Sequence, residues 1–126
     1  MTGGSSRQRQ QAERRGHTAE LRAATMLRLK GYRILDRRWK SPAGELDLVI
    51  RRGSTIAFVE VKTRPTADEA LASVGPRQRQ RIVSAAHHWL AENPAAMQCD
   101  CRFDIVTVTP YQWPRHIANA FAVDDQ

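Results

Sequence analysis

Residues 44–64 read GELDLVIRRGSTIAFVEVKTR, two apolar, β-branched runs on either side of a Gly-Ser pair. Leu46–Ile50 and Ile56–Lys62 predict two strands, and Gly53-Ser54 predicts the tight turn of a hairpin between them. Strand side chains alternate faces, so Ala57, Val59 and Val61 form an apolar row while Ile56, Phe58, Glu60 and Lys62 share the opposite face. In the first arm Leu46, Leu48 and Ile50 lie together, with Asp47 and Val49 on the other side. Counting outward from the turn, Arg52 meets Thr55, Ile50 meets Ala57, and Asp47 meets Glu60. Two carboxylates directly across an antiparallel pair repel. A sheet accommodates them when a cation sits between them or one takes a proton. Oxygen donors of this kind suit Mg²⁺ or Mn²⁺ rather than zinc. Lys62 follows Glu60 on the same face, placed to hold a water or a phosphate oxygen. A one-residue slip would part the two carboxylates, so the prediction rests on the register.

Upstream, residues 1–12 are Gly, Ser, Gln and Arg with too little apolar content to order alone, which predicts a basic tail and a single domain over 13–126. Glu13–Lys30 turns helical, with Ala23, Ala24 and Leu27 at helical spacing and Gly31 as its stop. Arg33–Trp39 reads as a strand and residues 41–44 as a turn. Downstream, 63–75 is a polar connection with a helical turn around Glu69–Ala72. Gly75-Pro76 opens a second helix, buried through Ile82, Ala85, Ala86, Trp89 and Leu90 and ended by Asn93-Pro94. Arg102–Thr109 is a fourth strand, and Ala118–Val123 is ordered against the body. The predicted order is α-β-β-β-α-β, an α/β fold with a mixed sheet and helices on it.

Twenty Lys and Arg against thirteen Asp and Glu leave the 126-residue chain at +7. That balance points to a polyanionic partner, nucleic acid first, or to a solvated basic surface. No apolar run approaches the roughly 18–20 residues of a membrane helix, and the first fifteen residues hold no apolar signal core. Cys99 and Cys101 are too few for a metal site of their own and too close to bridge without strain, which predicts reduced thiols in a cytoplasmic protein. Arg77, Arg79 and Arg81 crowd the start of the second helix, where the dipole disfavours cations, an arrangement suited to phosphate contact or to plain solvation. Trp39, Trp89 and Trp113 are candidates for base stacking, Trp89 being better read as core. His17, His87, His88 and His116 show no ligand spacing tied to the carboxylates and read as surface or packing residues.

A third carboxylate, Glu20, falls in helical register with Ala24 and Leu27, beside the stripe turned towards the sheet. It either joins Asp47 and Glu60 or forms an ion pair with an arginine, just as Glu60 and Lys62 could be a surface pair.

The segments Gly16-His-Thr-Ala19-Glu20, Leu27-x-x-x-Gly31-Tyr32-x-Ile34-Leu35, Gly44-Glu45-Leu46-Asp47-Leu48-Val49, Phe58-Val59-Glu60-Val61-Lys62-x-Arg64 and Arg102-Phe103-Asp104 together resemble the YraN-like family of bacterial proteins. That family is placed in the PD-(D/E)XK endonuclease superfamily, near the archaeal Holliday-junction resolvases. The resemblance spans roughly residues 13–122 and implies a restriction-endonuclease-like core. It implies Asp47 and Glu60 as metal ligands for Mg²⁺ or Mn²⁺, Lys62 as catalytic lysine, Glu20 as the helix-borne carboxylate completing the site, and the Val61 carbonyl as a further ligand. Arg64, Arg77, Gln78, Arg79 and Arg81 would meet nucleic acid, and a homodimer would suit a substrate with two symmetric strands. Leu46 stands in place of the proline of the superfamily's name, and Gln78 where relatives usually carry a lysine.

The expectation is a metal-dependent endonuclease acting on DNA, branched or structured DNA included. A nucleic-acid-binding module of the same fold without catalysis is the alternative, and a subunit whose basic face meets an acidic protein is a third reading.

Overall fold

The computed structural model describes residues 2–123, with side chains from Gly16 onward. Helix α1 (Thr2–Leu29) is followed by β1 (Arg33–Ser41), β2 (Gly44–Arg52) and β3 (Thr55–Lys62). Two helices, α2 (Ala67–Ala72) and α3 (Pro76–Glu92), and a 3-10 turn at Pro94–Gln98 lead to β4 (Asp100–Thr107) and β5 (Arg115–Phe121). The strands lie in sequence order in one sheet; β3 and β4 are parallel and the other neighbours antiparallel. This is a mixed five-stranded sheet flanked by helices, an α/β fold consistent with a restriction-endonuclease-like core.

The parallel β3–β4 step explains the layering. Parallel neighbours need a long crossover, and α2 and α3 supply it on the face opposite α1. Ala23, Ala24 and Leu27 of α1 pack on Leu48, Ile50, Ala57 and Val59, all buried. On the other face Ile82, Val83 and Trp89 of α3 meet Val49, Ile56, Phe58 and Phe103. Trp89 stands edge-on to Phe58, and its indole N–H donates to Asp36 Oδ2 at 2.7 Å, tying α3 to β1.

The central hairpin has the predicted register: Arg52 faces Thr55, Ile50 faces Ala57, and Leu48 faces Val59. Gly53, at φ 62°, supplies the left-handed backbone that the two-residue turn requires. Leu46 departs from the predicted alternation and packs on the α3 side with Val49, not with Leu48 and Ile50. It lies beyond the last β2–β3 pair, where only the β1 ladder, through Trp39, still holds the strand. Gly44, at the start of the same strand, touches α3 so closely that a Cβ there would come within 3.1 Å of the Arg81 carbonyl oxygen.

Three further elements differ from expectation. Helix α1 runs back to Thr2 rather than starting near Glu13, because extending a formed helix costs no new nucleus and the Gln-Arg-Ala run favours it. The stretch expected only to be ordered near the C-terminus is strand β5, which begins at Arg115 and pairs along β4. The fourth strand is shifted, starting at Asp100 and ending at Thr107. Among the described residues no helix is long and apolar enough to cross a membrane. Cys99 and Cys101 are both free thiols.

Candidate functional site

Asp47 occupies the row of the sheet where the two hairpins converge. Continuing the β2–β3 register by one residue sets Glu60 opposite it, and the β1–β2 register, Arg37 to Leu48 and Trp39 to Leu46, sets Arg38 on its other side. Asp47 Oδ2 accepts the Val61 backbone N–H at 2.8 Å. Glu60 is only 9% exposed; its Oε1 accepts the Gln78 side-chain amide at 3.0 Å, while Gln78 Oε1 accepts from Lys62 Nζ at 3.4 Å. Gln78 therefore bridges the acid and the lysine from the first turn of α3. A lysine at this position would place a second cation beside Glu60; here a neutral amide both donates and accepts.

The electrostatics follow from this packing. Burial, then the Asp47 charge, pushes the Glu60 carboxyl up to about 8, against the opposing pull of Lys62 and Gln78. The protonated form also hydrogen-bonds Asp47. Asp47 is likewise raised by burial, with the Val61 N–H, Lys62 and Arg38 pulling the other way. Glu20 is raised by burial and by Asp47, opposed by Arg38 and Arg37. With no divalent ion present, the folded protein thus holds a proton on Glu60 that the unfolded chain releases above the ordinary carboxylate range, near pH 4.5. Stability then falls as pH rises from there to about 8, since the native state binds more protons across that window. Glu60→Gln keeps the acceptor for Gln78 and mimics the protonated acid. It is expected to raise the melting temperature at pH 8 in chelator by about 3 °C or more and to flatten the slope between pH 5 and 8. An unchanged slope in thermal melts would count against the buried acid pair.

Two recesses open on this row. The larger, about 620 Å³, is lined by Asp47, Glu60, Gln78, Arg77 and Arg81. The smaller, about 290 Å³, brings Glu20, Arg38, Asp47, Lys62 and Arg64 together with Val61. Asp47 belongs to both. Glu20 shares its recess with Asp47 and Lys62 but does not line the one that holds Glu60, since α1 packs on the sheet face opposite α3; its Oε2 lies 3.6 Å from Arg38 Nε. The ion-pair alternative for Glu20 is therefore realised, whereas Glu60, being buried, makes no surface pair with Lys62. Among the described residues no three His, Cys, Asp or Glu side chains stand close enough to hold one ion jointly.

The basic residues divide. Arg77 and Arg81 flank the acid pair and Arg64 the lysine, but Arg79 turns away: its Nε donates to the Val74 carbonyl at 2.9 Å and its guanidinium lies over the Phe121 ring. From sequence Arg38 reads only as one of the basic residues around the strand ends, although counting outward from the Pro42-Ala43 turn puts it opposite Asp47. It adopts φ 51°, an uncommon backbone for a non-glycine residue, and also contacts His17 Nδ1 at 3.1 Å. Arg102 and Asp104 lie away from the site and bind His116 and Tyr32 in a buried polar cluster.

The model of the uncharacterised protein family UPF0102 matches residues 19–108, a span that contains Glu20, Asp47, Glu60 and Lys62. The chain belongs to this family. It is the YraN-like family to which the sequence motifs point. Among UPF0102 relatives, the chain is 53% identical over 123 residues to a protein of Paramagnetospirillum magneticum, covering 94% of this chain and 95% of that one. It is 49% identical over 114 residues to one of Chelativorans sp., covering 90% and 92%. A protein of Parvibaculum lavamentivorans is 50% identical over 110 residues, with 87% and 83% covered. These UPF0102 proteins carry no named activity in their descriptions, so the site's chemistry rests on its geometry.

Proposed function

We propose that this UPF0102 protein is a divalent-metal-dependent nuclease that hydrolyses phosphodiester bonds, with DNA as its substrate. The observation that carries the reading is Asp47 set across the strands from the buried Glu60, which Gln78 bridges to Lys62, at recesses walled by Arg64, Arg77 and Arg81. A buried acid whose proton affinity is raised by a partly buried second acid beside it is a costly arrangement for a merely structural pair. Their chemistry fits Mg²⁺ or Mn²⁺, hard ions that take oxygen donors and are commonly held by one or two carboxylates plus waters. Asp47 and Glu60 would hold the ion, with the Val61 carbonyl at the same strand end as a further oxygen. A bound ion supplies polarisation of a phosphoryl oxygen and a more acidic water.

The protein's own groups do the rest. Lys62, held by Gln78, donates to the attacking water or to the phosphoryl oxygen on which charge develops. Arg64, Arg77 and Arg81 neutralise the phosphates on either side of the scissile one. Glu20, paired with Arg38, orders the water side of the smaller recess.

Incubation with linear, single-stranded and four-way DNA, with Mg²⁺ or with chelator, tests the activity; cutting of none of them in Mg²⁺ or Mn²⁺ removes it. Ion binding has its own readout. Mn²⁺ is expected to raise the melting temperature by several degrees, since a ligand at about 100 times its Kd adds roughly 2.7 kcal/mol. Asp47→Asn is expected to abolish that rise, and a rise that persists in the variant would refute the shared ion.

A further inference from the structure

The smaller recess does not end at the lysine. Ala19 and Thr63, which line it beside Glu20 and Lys62, also line a recess of about 360 Å³ between α1 and the segment after β4. That recess in turn shares Thr18 and Arg22 with a third, of about 230 Å³, walled by Leu21, Trp113 and Pro114. The three form one groove along α1, polar at the acids and apolar beyond them. Past Glu20 no acidic residue lines it, among the described residues, and the charged side chain there is Arg22. Arg22 is already committed: its guanidinium donates to the carbonyls of Thr109 and Gln112 and clamps the 109–112 segment onto the helix. The groove is thereby preformed, and at its far end Trp113 stands 67% exposed. Tyr111, two residues earlier, is fully exposed and held at φ 65°, an outlier for an aromatic side chain.

We infer that this groove binds an unpaired stretch of nucleic acid leaving the candidate site, with a base stacked on Trp113. The inference rests on the nuclease reading and names its substrate class: DNA with a single-stranded arm next to the cleaved phosphate. A duplex backbone offers phosphates, and among the described residues the apolar stretch has no free cation to receive them. An exposed base offers a flat apolar face, which an indole and an apolar wall recognise without regard to sequence. The phosphates of the same strand run back to Arg64 and Lys62, which face the recess at the groove's other end. Continuity with that recess favours this occupant over a protein segment.

Trp39 is partly buried and Trp89 buried, so a stacked base quenches chiefly the emission of Trp113. The test is a fluorescence titration in chelator, without cleavage, using short oligothymidylate and a blunt duplex of equal length. Oligothymidylate is expected to quench, and Trp113→Leu to remove the quench and weaken single-strand binding about tenfold. Trp113→Phe should retain most of the affinity, and duplex binding should be unchanged in both variants. Absence of quenching, equal weakening on duplex, or quenching that follows protein concentration alone because a second copy fills the groove would each overturn the inference. Cleavage without quenching removes the groove and leaves the nuclease; quenching by a protein that never cuts removes the nuclease and leaves the groove.

Discussion

Asp47→Asn and Lys62→Ala are each expected to lower Mg²⁺-dependent DNA cleavage by about 10²–10³-fold, which corresponds to roughly 2.7–4 kcal/mol of lost transition-state stabilisation. The two losses have different origins. Asn at position 47 still offers an oxygen to the Val61 N–H. It relieves the repulsion from Glu60, so the fold is retained while an anionic donor for the ion is lost. Ala at position 62 leaves both acids in place and removes the donor that Gln78 holds at 3.4 Å. DNA binding in chelator, measured by anisotropy, should change by less than about threefold for Asp47→Asn, because the phosphates are held mainly by the arginines around the recesses. If the parent protein binds DNA with a steep salt dependence and cuts no substrate, the non-catalytic binding module takes the nuclease's place. Cleavage undiminished in both variants would assign the chemistry elsewhere.

Asp104→Ala is expected to cost about 3–5 kcal/mol, the penalty for breaking a buried ion pair by removing one partner. Asp104 is fully buried. Its carboxylate accepts from Arg102 at 2.9 and 3.0 Å, from His116 Nε2 at 2.7 Å and from the Asn119 N–H at 2.9 Å. His116 Nδ1 in turn meets Lys30 Nζ at 2.6 Å, so the cluster ties α1 to β4 and β5. Alanine strands those donors, and a fall in melting temperature on the order of 10 °C or more follows. Burial alone would raise this carboxyl, but the bonds from His116, Arg102 and Asn119 outweigh it and hold it below its ordinary value of 3.8. A depressed folded value stabilises fully above that ordinary value, and the contribution disappears as pH falls through the lower one. The parent protein should therefore lose stability at the acid end faster than the variant does. A variant melting within about 2 °C of the parent at neutral pH would show that the cluster contributes specificity rather than stability.

Several parts of the molecule were readable because their causes are local. The hairpin register follows from a two-residue turn and a two-residue period, so Asp47 and Glu60 could be paired by counting from Gly53. The apolar rows on α1 and α3 were found from helical spacing. Glu20 was placed on the right helix, and its ion pair with an arginine was among the alternatives weighed, yet nothing in the spacing chose between that pair and the metal. Arg79 was read with Arg77 and Arg81 because all three crowd one turn, but helical geometry sends it towards Val74 and Phe121.

The chain's own pattern thus suffices for the strand order up to Lys62, the acid pair and the family, since tight turns join these strands and their register can be counted from the turns. Gln78 between Glu60 and Lys62, Arg38 paired with Glu20, strand β5 and the groove to Trp113 exist only once distant segments pack. Gln78 is 16 positions from Lys62 and 18 from Glu60, Arg38 is 18 from Glu20, and the groove brings Leu21 to Trp113 across 92; over such separations it is the packing of whole helices on the sheet, not local preference, that selects which side chains meet.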